Sequence, residues 1–161
     1  DFFKNHPDYL VSEDDARNNF VSENHKKEKE GIDLYKKRFE NYIFKWPNCA
    51  QTSVDLIRME GNESIRQQHK TLYKNRNGFT CHIHIKAGKD ANGKQLRGRF
   101  PKNGADEFVF TLINDDGTAE FWIIPIKILE DKGNLQRQNI TCFRDTNTIS
   151  EDYWTSEFYV K

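Results

Sequence analysis

The chain has 161 residues, enough for one domain with a real core, and its 25 Lys plus Arg are balanced by 25 Asp plus Glu. Zero net charge removes the overall positive field that marks many nucleic-acid binders, although local basic patches survive it. A mean hydropathy of -0.92, with no run of about 18 apolar residues and no apolar signal core at the start, argues against a membrane partner.

The expectation is a soluble, intracellular protein. It begins at Asp1 rather than Met, which reads as a fragment or domain of something longer. Phe, Tyr and Trp supply bulky packing material for an aromatic-rich core. Cys49, Cys81 and Cys142 are odd in number and far apart, without a CxxC pair, and read as buried thiols rather than disulfides or a metal cluster. The richness in Asn, Lys, Ile and Asp gives the chain the look of a product of a virus, phage, protist or mobile element.

Residues 1–30 are charge-rich, with Glu13, Asp14 and Asp15 and then a run from His25 through Glu30, and read as a loosely held N-terminal arm. Residues 31–161 read as a single domain. Over 26–45, Ile32, Tyr35, Phe39, Tyr42 and Ile43 recur at three- and four-residue steps, which predicts a helix weakened at Gly31 and ended by Trp46 and Pro47. Imperfect alternation predicts a strand over 52–59 carrying Asp55. Residues 64–73 fit either a short helix or a hairpin strand, between turns at 60–62 and 74–78.

Residues 79–87 alternate most clearly. Phe79, Cys81, Ile83 and Ile85 face one way, and His82, His84 and Lys86 the other, so this segment reads as the central strand with one chemical face. A turn at 89–94 follows, then the most basic window of the second half, with Lys94, Arg97, Arg99 and Lys102. Aromatic and β-branched runs on either side of Asp115, Asp116 and Gly117 predict a β-hairpin over 107–124. Pro125 closes it, 126–131 begins a short helix, and the tail adds strand and helix. The order predicts an α/β or α+β fold with a mixed central sheet flanked by helices.

Metal-assisted phosphodiester hydrolysis requires oxygen ligands for a hard divalent ion and a nearby cation to orient the attacking water. Asp55 on one strand with His84 and Lys86 on another resembles the restriction-endonuclease-like, PD-(D/E)xK, nuclease superfamily, whose pattern is a helix acid, a strand Asp, and then Glu or Gln, any residue, Lys. The resemblance spans roughly 31–133. It implies a metal-dependent DNA endonuclease using Mg2+ or Mn2+, acting as a homodimer or in a larger assembly. Asp55, His84 and Lys86 would be catalytic, with Asp55, His84 and Glu40 (or Glu30) at the metal and Lys94, Arg97, Arg99 and Lys102 along the DNA backbone. His84 departs from the pattern, because a neutral imidazole brings no negative charge and favours softer metals. That departure motivates the alternative of a non-catalytic nucleic-acid or protein interaction domain of the same fold.

Plainer readings exist for each residue. Asp55 can cap a turn, Lys86 and the basic window can be solvated, and the histidines can be the polar face of a sheet. A cupin-like histidine metal centre lacks its later ligand, since no His follows position 84.

Overall fold

A computed structural model of the chain describes residues 10–17, 23–47, 54–73, 80–84, 86–89, 91–92, 95–97, 105–132, 139–144 and 151–160. Strand β1 (Leu10–Val11) and helix α1 (Glu13–Arg17) precede the long helix α2 (Glu23–Arg38). Strands β2 (Ile43–Pro47), β3 (Leu56–Glu60) and β4 (Glu63–Tyr73) follow, then three short strands, β5 (Thr80–His84), β6 (Lys86–Lys89) and β7 (Gln95–Arg97). The hairpin β8 (Glu107–Ile113) and β9 (Ala119–Pro125) leads into α3 (Ile126–Asp131), β10 (Asn139–Phe143), a 3-10 helix (Glu151–Phe158) and β11 (Tyr159–Val160).

Seven strands form one sheet in the order β1-β2-β3-β4-β8-β9-β11. Its neighbours are antiparallel except β4 and β8, which run parallel in register from Gln67–Glu107 to Tyr73–Ile113. The architecture is therefore the expected α+β fold with a mixed central sheet flanked by helices. None of the helices among the described residues is long and apolar enough to cross a membrane.

Helix α2 buries Ile32 and Tyr35 and half-buries Phe39 just past its end. It stops sooner than the spacing predicts. Tyr42 and Ile43 continue the helical step by coincidence, while residues 43–46 alternate exposed Ile43, half-buried Phe44, exposed Lys45 and buried Trp46. Period two wins over period 3.6 here, because as a strand this segment pairs with β3 and sends Trp46 into the core. Lys36, Lys37 and Arg38 in the last turn of α2 complement its negative dipole end.

The segment before α2 is partly built into this layer. Leu10–Val11 pairs with β2, Ala16 is fully buried, and Lys36 Nζ reaches Glu13 Oε1 at 2.9 Å.

Strand β8 is buried along its whole length, because both faces of the sheet are covered. Val109 faces the α2 side with Tyr35, Leu56 and Phe121. Phe108, Phe110 and Leu112 face the other side, packing with Trp122, Ile124, Leu129, Ile140 and Cys142 beneath Trp154 and Phe158. Burying one such side chain contributes about 1.5–3 kcal/mol. The predicted β8–β9 turn is present, with Gly117 at φ +84, a left-handed conformation that favours glycine.

The centre of the sheet differs from the expectation. The alternation of residues 79–87 predicts the central strand, but β5 pairs with β10 and β6 with β7 in two separate two-stranded sheets. Strand β4, 11 residues long, holds the central position between β3 and β8. Its inward residues Gln67, His69 and Thr71 are polar and buried, so hydropathy gives no sign that this strand is interior.

Candidate functional site

Strands β3 and β4 form a hairpin whose pairing runs from Glu60–Glu63 back to Leu56–Gln67. Beyond that point β4 continues to Tyr73 paired only with β8, among the described residues. Asp55 stands at this fork. Its N–H donates to the Gln67 carbonyl at 2.8 Å, and its Oδ2 accepts the His69 N–H at 2.8 Å. The carboxylate thus takes over the acceptor role that the departing strand no longer fills for β4.

Side chains on β4 alternate across the sheet. Gln67, His69 and Thr71 lie on the face covered by α2, and Gln68, Lys70 and Leu72 on the opposite face, in register with Phe108, Phe110 and Leu112. One step back from the Leu56–Gln67 pair sets Asp55 across from Gln68. The Gln68 Oε1 atom is buried without a hydrogen-bond partner, and Lys70 is half-buried with its charge acting on Asp55.

A second carboxylate arrives from the helix. Glu28 shares the α2 stripe of Ile32, Tyr35 and Phe39, is half-buried, and acts electrostatically on Asp55. One turn later, Gly31 lets the helix sit directly on β4. A Cβ there would lie 1.9 Å from Thr71 Oγ1, so any larger residue would lift α2 and Glu28 with it.

Burial pushes the Asp55 carboxyl well above the usual carboxylate range, and the charge of Glu28 adds to the effect. The His69 N–H and the Lys70 ammonium oppose this without cancelling it.

Behind the fork lies a buried polar chain. Gln67 Nε2 donates to Tyr35 Oη at 2.8 Å and to Glu107 Oε1 at 2.6 Å, while Gln67 Oε1 lies 3.0 Å from His69 Nε2. Arg58 Nε donates to Glu107 Oε1 at 3.2 Å. Because the amide nitrogen is used as donor, its oxygen accepts from His69, which carries its proton on Nε2. Burial pushes the His69 imidazole down to about 3 and the Tyr35 phenol up to about 12, so both stay neutral. The chain ties α2, β3 and β8 to β4 at the residues flanking the Asp55 contact.

Among the described residues, no three His, Cys, Asp or Glu side chains gather as a metal site. The donors at the fork are two carboxylates, Asp55 and Glu28, with the Gln68 amide oxygen as a third. All are hard oxygen ligands of the kind Mg2+ and Mn2+ take, and the orphaned Gln68 oxygen with the raised Asp55 carboxyl fits such an ion.

Of the sequence candidates, three have described side chains. Asp55 lies at the fork. Glu40 is exposed and lines a separate cleft of about 550 Å3 with Leu10, Tyr42 and Trp46. Glu30 accepts a short hydrogen bond from the Tyr73 hydroxyl. His84 ends β5, Lys86 begins β6 and Arg97 ends β7, all outside the seven-stranded sheet, and their side chains lie outside the described residues. Lys94, Arg99 and Lys102 also lie outside the described residues.

Sequence reasoning missed Glu28, Gln68 and Lys70. The signals were present. Glu28 interrupts an otherwise apolar helical stripe, and Gln68, His69, Lys70 spell the Gln, any residue, Lys order on the strand that follows Asp55.

No family model and no curated protein matches the chain. Among solved structures, MepB aligns with 13% identity over 80% of this chain and 94% of its own, at a TM-score of 0.46, too low to bear on the fold. The bacterial homing endonuclease I-Ssp6803I aligns with a TM-score of 0.64 and 12% identity, covering 86% of this chain and 89% of its own. At that identity the likeness is one of architecture: this chain has a fold similar to that of a homing endonuclease.

Proposed function

We propose that the protein is a metal-dependent DNA endonuclease of the restriction-endonuclease-like, PD-(D/E)xK type, with its centre at the β3–β4 fork. Asp55 is its strand acid, Gln68 and Lys70 its Gln-x-Lys pair, and Glu28 its helix acid. The observation that carries this reading is that Asp55 meets Gln68, His69 and Lys70 on the strand paired with its own, under the charge of a second carboxylate. The homing-endonuclease likeness supports DNA as the substrate.

Asp55, Glu28 and the Gln68 amide oxygen would hold Mg2+ or Mn2+, which when bound polarises a phosphoryl oxygen and acidifies water. The His69 N–H keeps one Asp55 oxygen oriented and leaves the other for the ligand. The Lys70 ammonium orients the attacking water and offsets charge on the phosphorane-like transition state. The basic window Lys94, Arg97, Arg99 and Lys102 is proposed to track the DNA backbone.

Plasmid nicking in Mg2+ and Mn2+ tests the assignment. Asp55→Asn and Lys70→Ala are each expected to lower the rate about 100-fold or more, while Lys86→Ala keeps the parent rate. Loss in Lys86→Ala with an active Lys70→Ala would return the lysine role to the segment 79–87. DNA binding without cleavage in either metal would favour the non-catalytic interaction domain.

A further inference from the structure

Two hydrogen bonds hold Asp55 on β4, and both run to main-chain atoms: the Gln67 carbonyl and the His69 N–H. The side chains of those same two residues meet on the α2 face, where Gln67 Oε1 lies 3.0 Å from His69 Nε2. A link between positions i and i+2 fixes the local twist of a strand, and with it the angle between the carbonyl and the N–H that face Asp55. Gln68, between them, is turned to the opposite face by the same stretch of backbone.

Gln67 is the centre of this link. It is fully buried, and its amide nitrogen donates to Tyr35 Oη at 2.8 Å and to Glu107 Oε1 at 2.6 Å. Tyr35 stands on α2 two turns after Glu28. Glu107 opens β8, where Arg58 from β3 holds it through Nε and Nη2 at 3.2 and 3.4 Å. One amide therefore ties the Asp55 cradle to the helix that carries Glu28 and to the strands on both sides of β4. His69 depends on it heavily, because its Nδ1 is buried without a partner.

The surrounding layer is apolar, with Ile32, Leu56, Val109 and Phe121. An apolar side chain at 67 would fill that layer without burying polar atoms, and a buried polar network is often no more stabilising than a well-packed apolar core. What the network adds is one fixed orientation at the residues flanking Asp55.

We infer that Gln67 is a positioning residue of the fork: its amide sets the main-chain geometry that aims the Asp55 carboxylate and the Gln68 amide at a bound divalent ion. The inference deepens the nuclease reading and rests on it for the ion. The orientation of Asp55 is itself measurable without metal or cleavage.

Gln67→Met keeps the length of the side chain and removes the amide. Calorimetric titration with Mn2+ is expected to show an affinity about ten-fold or more below the parent's, and plasmid nicking a kcat lower by about ten-fold or more at a KM for DNA within about two-fold. In metal-free NMR spectra the His69 amide proton should move upfield, the direction given by Asp55→Ala, which removes its acceptor. Glu120→Gln controls for stability alone. Glu120 lies in a separate cluster with Arg144 and Tyr159, so this variant lowers the urea midpoint and leaves Mn2+ affinity, kcat and the His69 amide as in the parent. Tyr35→Phe keeps the ring and removes one partner of the Gln67 amide, and it decides the matter if Gln67→Met does not fold. About three-fold weaker Mn2+ binding is expected there, with the same direction of shift at His69.

An unmoved His69 amide in the folded variant overturns the positioning role, whatever the nicking result. Parent-like Mn2+ affinity and kcat in that variant, or an equal loss in Glu120→Gln, overturns it too and leaves the nuclease in place. A parent that neither binds Mn2+ nor nicks DNA removes the nuclease reading alone, and a shifted His69 amide then keeps Gln67 as the residue that orients Asp55.

Discussion

Asp55 and Glu120 both place a carboxylate within the central sheet, and their surroundings push them in opposite directions. Burial raises the Glu120 carboxyl, but hydrogen bonds from Arg144, Tyr159 and Asn114 outweigh it and hold the group at about 2. Arg144 grips it through Nε and Nη2 at 2.5 and 2.6 Å, and Tyr159 Oη donates at 2.6 Å. At Asp55, burial and the like charge of Glu28 are met by one backbone N–H and one lysine, and the carboxyl stays raised. A carboxylate that locks a fold together is fully answered by its own chain. One left under-compensated beside a second acid is the kind of group that the proposed metal centre would use.

Four changes would break or sharpen this contrast. Gly31→Ala acts most strongly, because its Cβ would meet Thr71 Oγ1 at 1.9 Å. It should cost about 3 kcal/mol by overpacking, read as a lower midpoint in urea, with partial rescue by Thr71→Ala. If lifting α2 separates Glu28 from Asp55, the Asp55 titration followed by NMR in this variant should shift downward.

Glu120→Gln comes next. It leaves Arg144 without its bidentate partner and should cost about 2 kcal/mol, below the value for a fully buried pair because Arg144 is partly exposed. Unchanged thermal stability would show that the Glu120 cluster is ornamental rather than structural.

Asp55→Asn should move the other way. The amide oxygen can still accept the His69 N–H, and the repulsion with Glu28 disappears, so thermal stability should hold or rise by about 1 kcal/mol even as activity is lost. A marked fall in Tm would place Asp55 among the structural carboxylates.

The smallest effect is in pH. The depressed Glu120 carboxyl supplies stability above about 4.5 that is lost as pH falls toward about 2. The buried neutral His69 adds a loss that begins as pH drops below 6.5 and continues toward about 3. The raised Asp55 carboxyl runs against both, favouring the fold as pH falls from about 8 toward its ordinary value of 3.8. Urea midpoints between pH 7 and pH 3 should therefore fall less steeply in Glu120→Gln than in the parent.

Much of the frame was legible residue by residue. Ile32, Tyr35 and Phe39 marked the helix, and the β-hairpin over 107–124 declared itself through its Asp-Gly turn and aromatic strands. The end of α2 was not legible, since Tyr42 and Ile43 satisfy helical spacing as well as Phe44 and Trp46 satisfy strand spacing. Only pairing with β3 breaks that tie. Strand β4 was ambiguous because its buried face is Gln67, His69 and Thr71, and two of these are matched by Tyr35 and Glu107 from distant elements. The segment 79–87 looked central because its alternation is cleaner, yet alternation reports only that a strand has two faces.

The candidate site shows the same division. Asp55 was visible as an acid on a strand, and the residue types Gln68, Lys70 and Glu28 were present in the chain to be read. The sequence by itself determined the α+β class, the apolar stripe of α2 and the supply of acids, amide and lysine, because these follow from local periodicity and side-chain chemistry. Only the tertiary structure decided that β4 pairs beside Asp55, and that Gly31 lets α2 bring Glu28 within its field. Strand pairing and close helix seating depend on contacts between residues remote in sequence, and no local pattern records them.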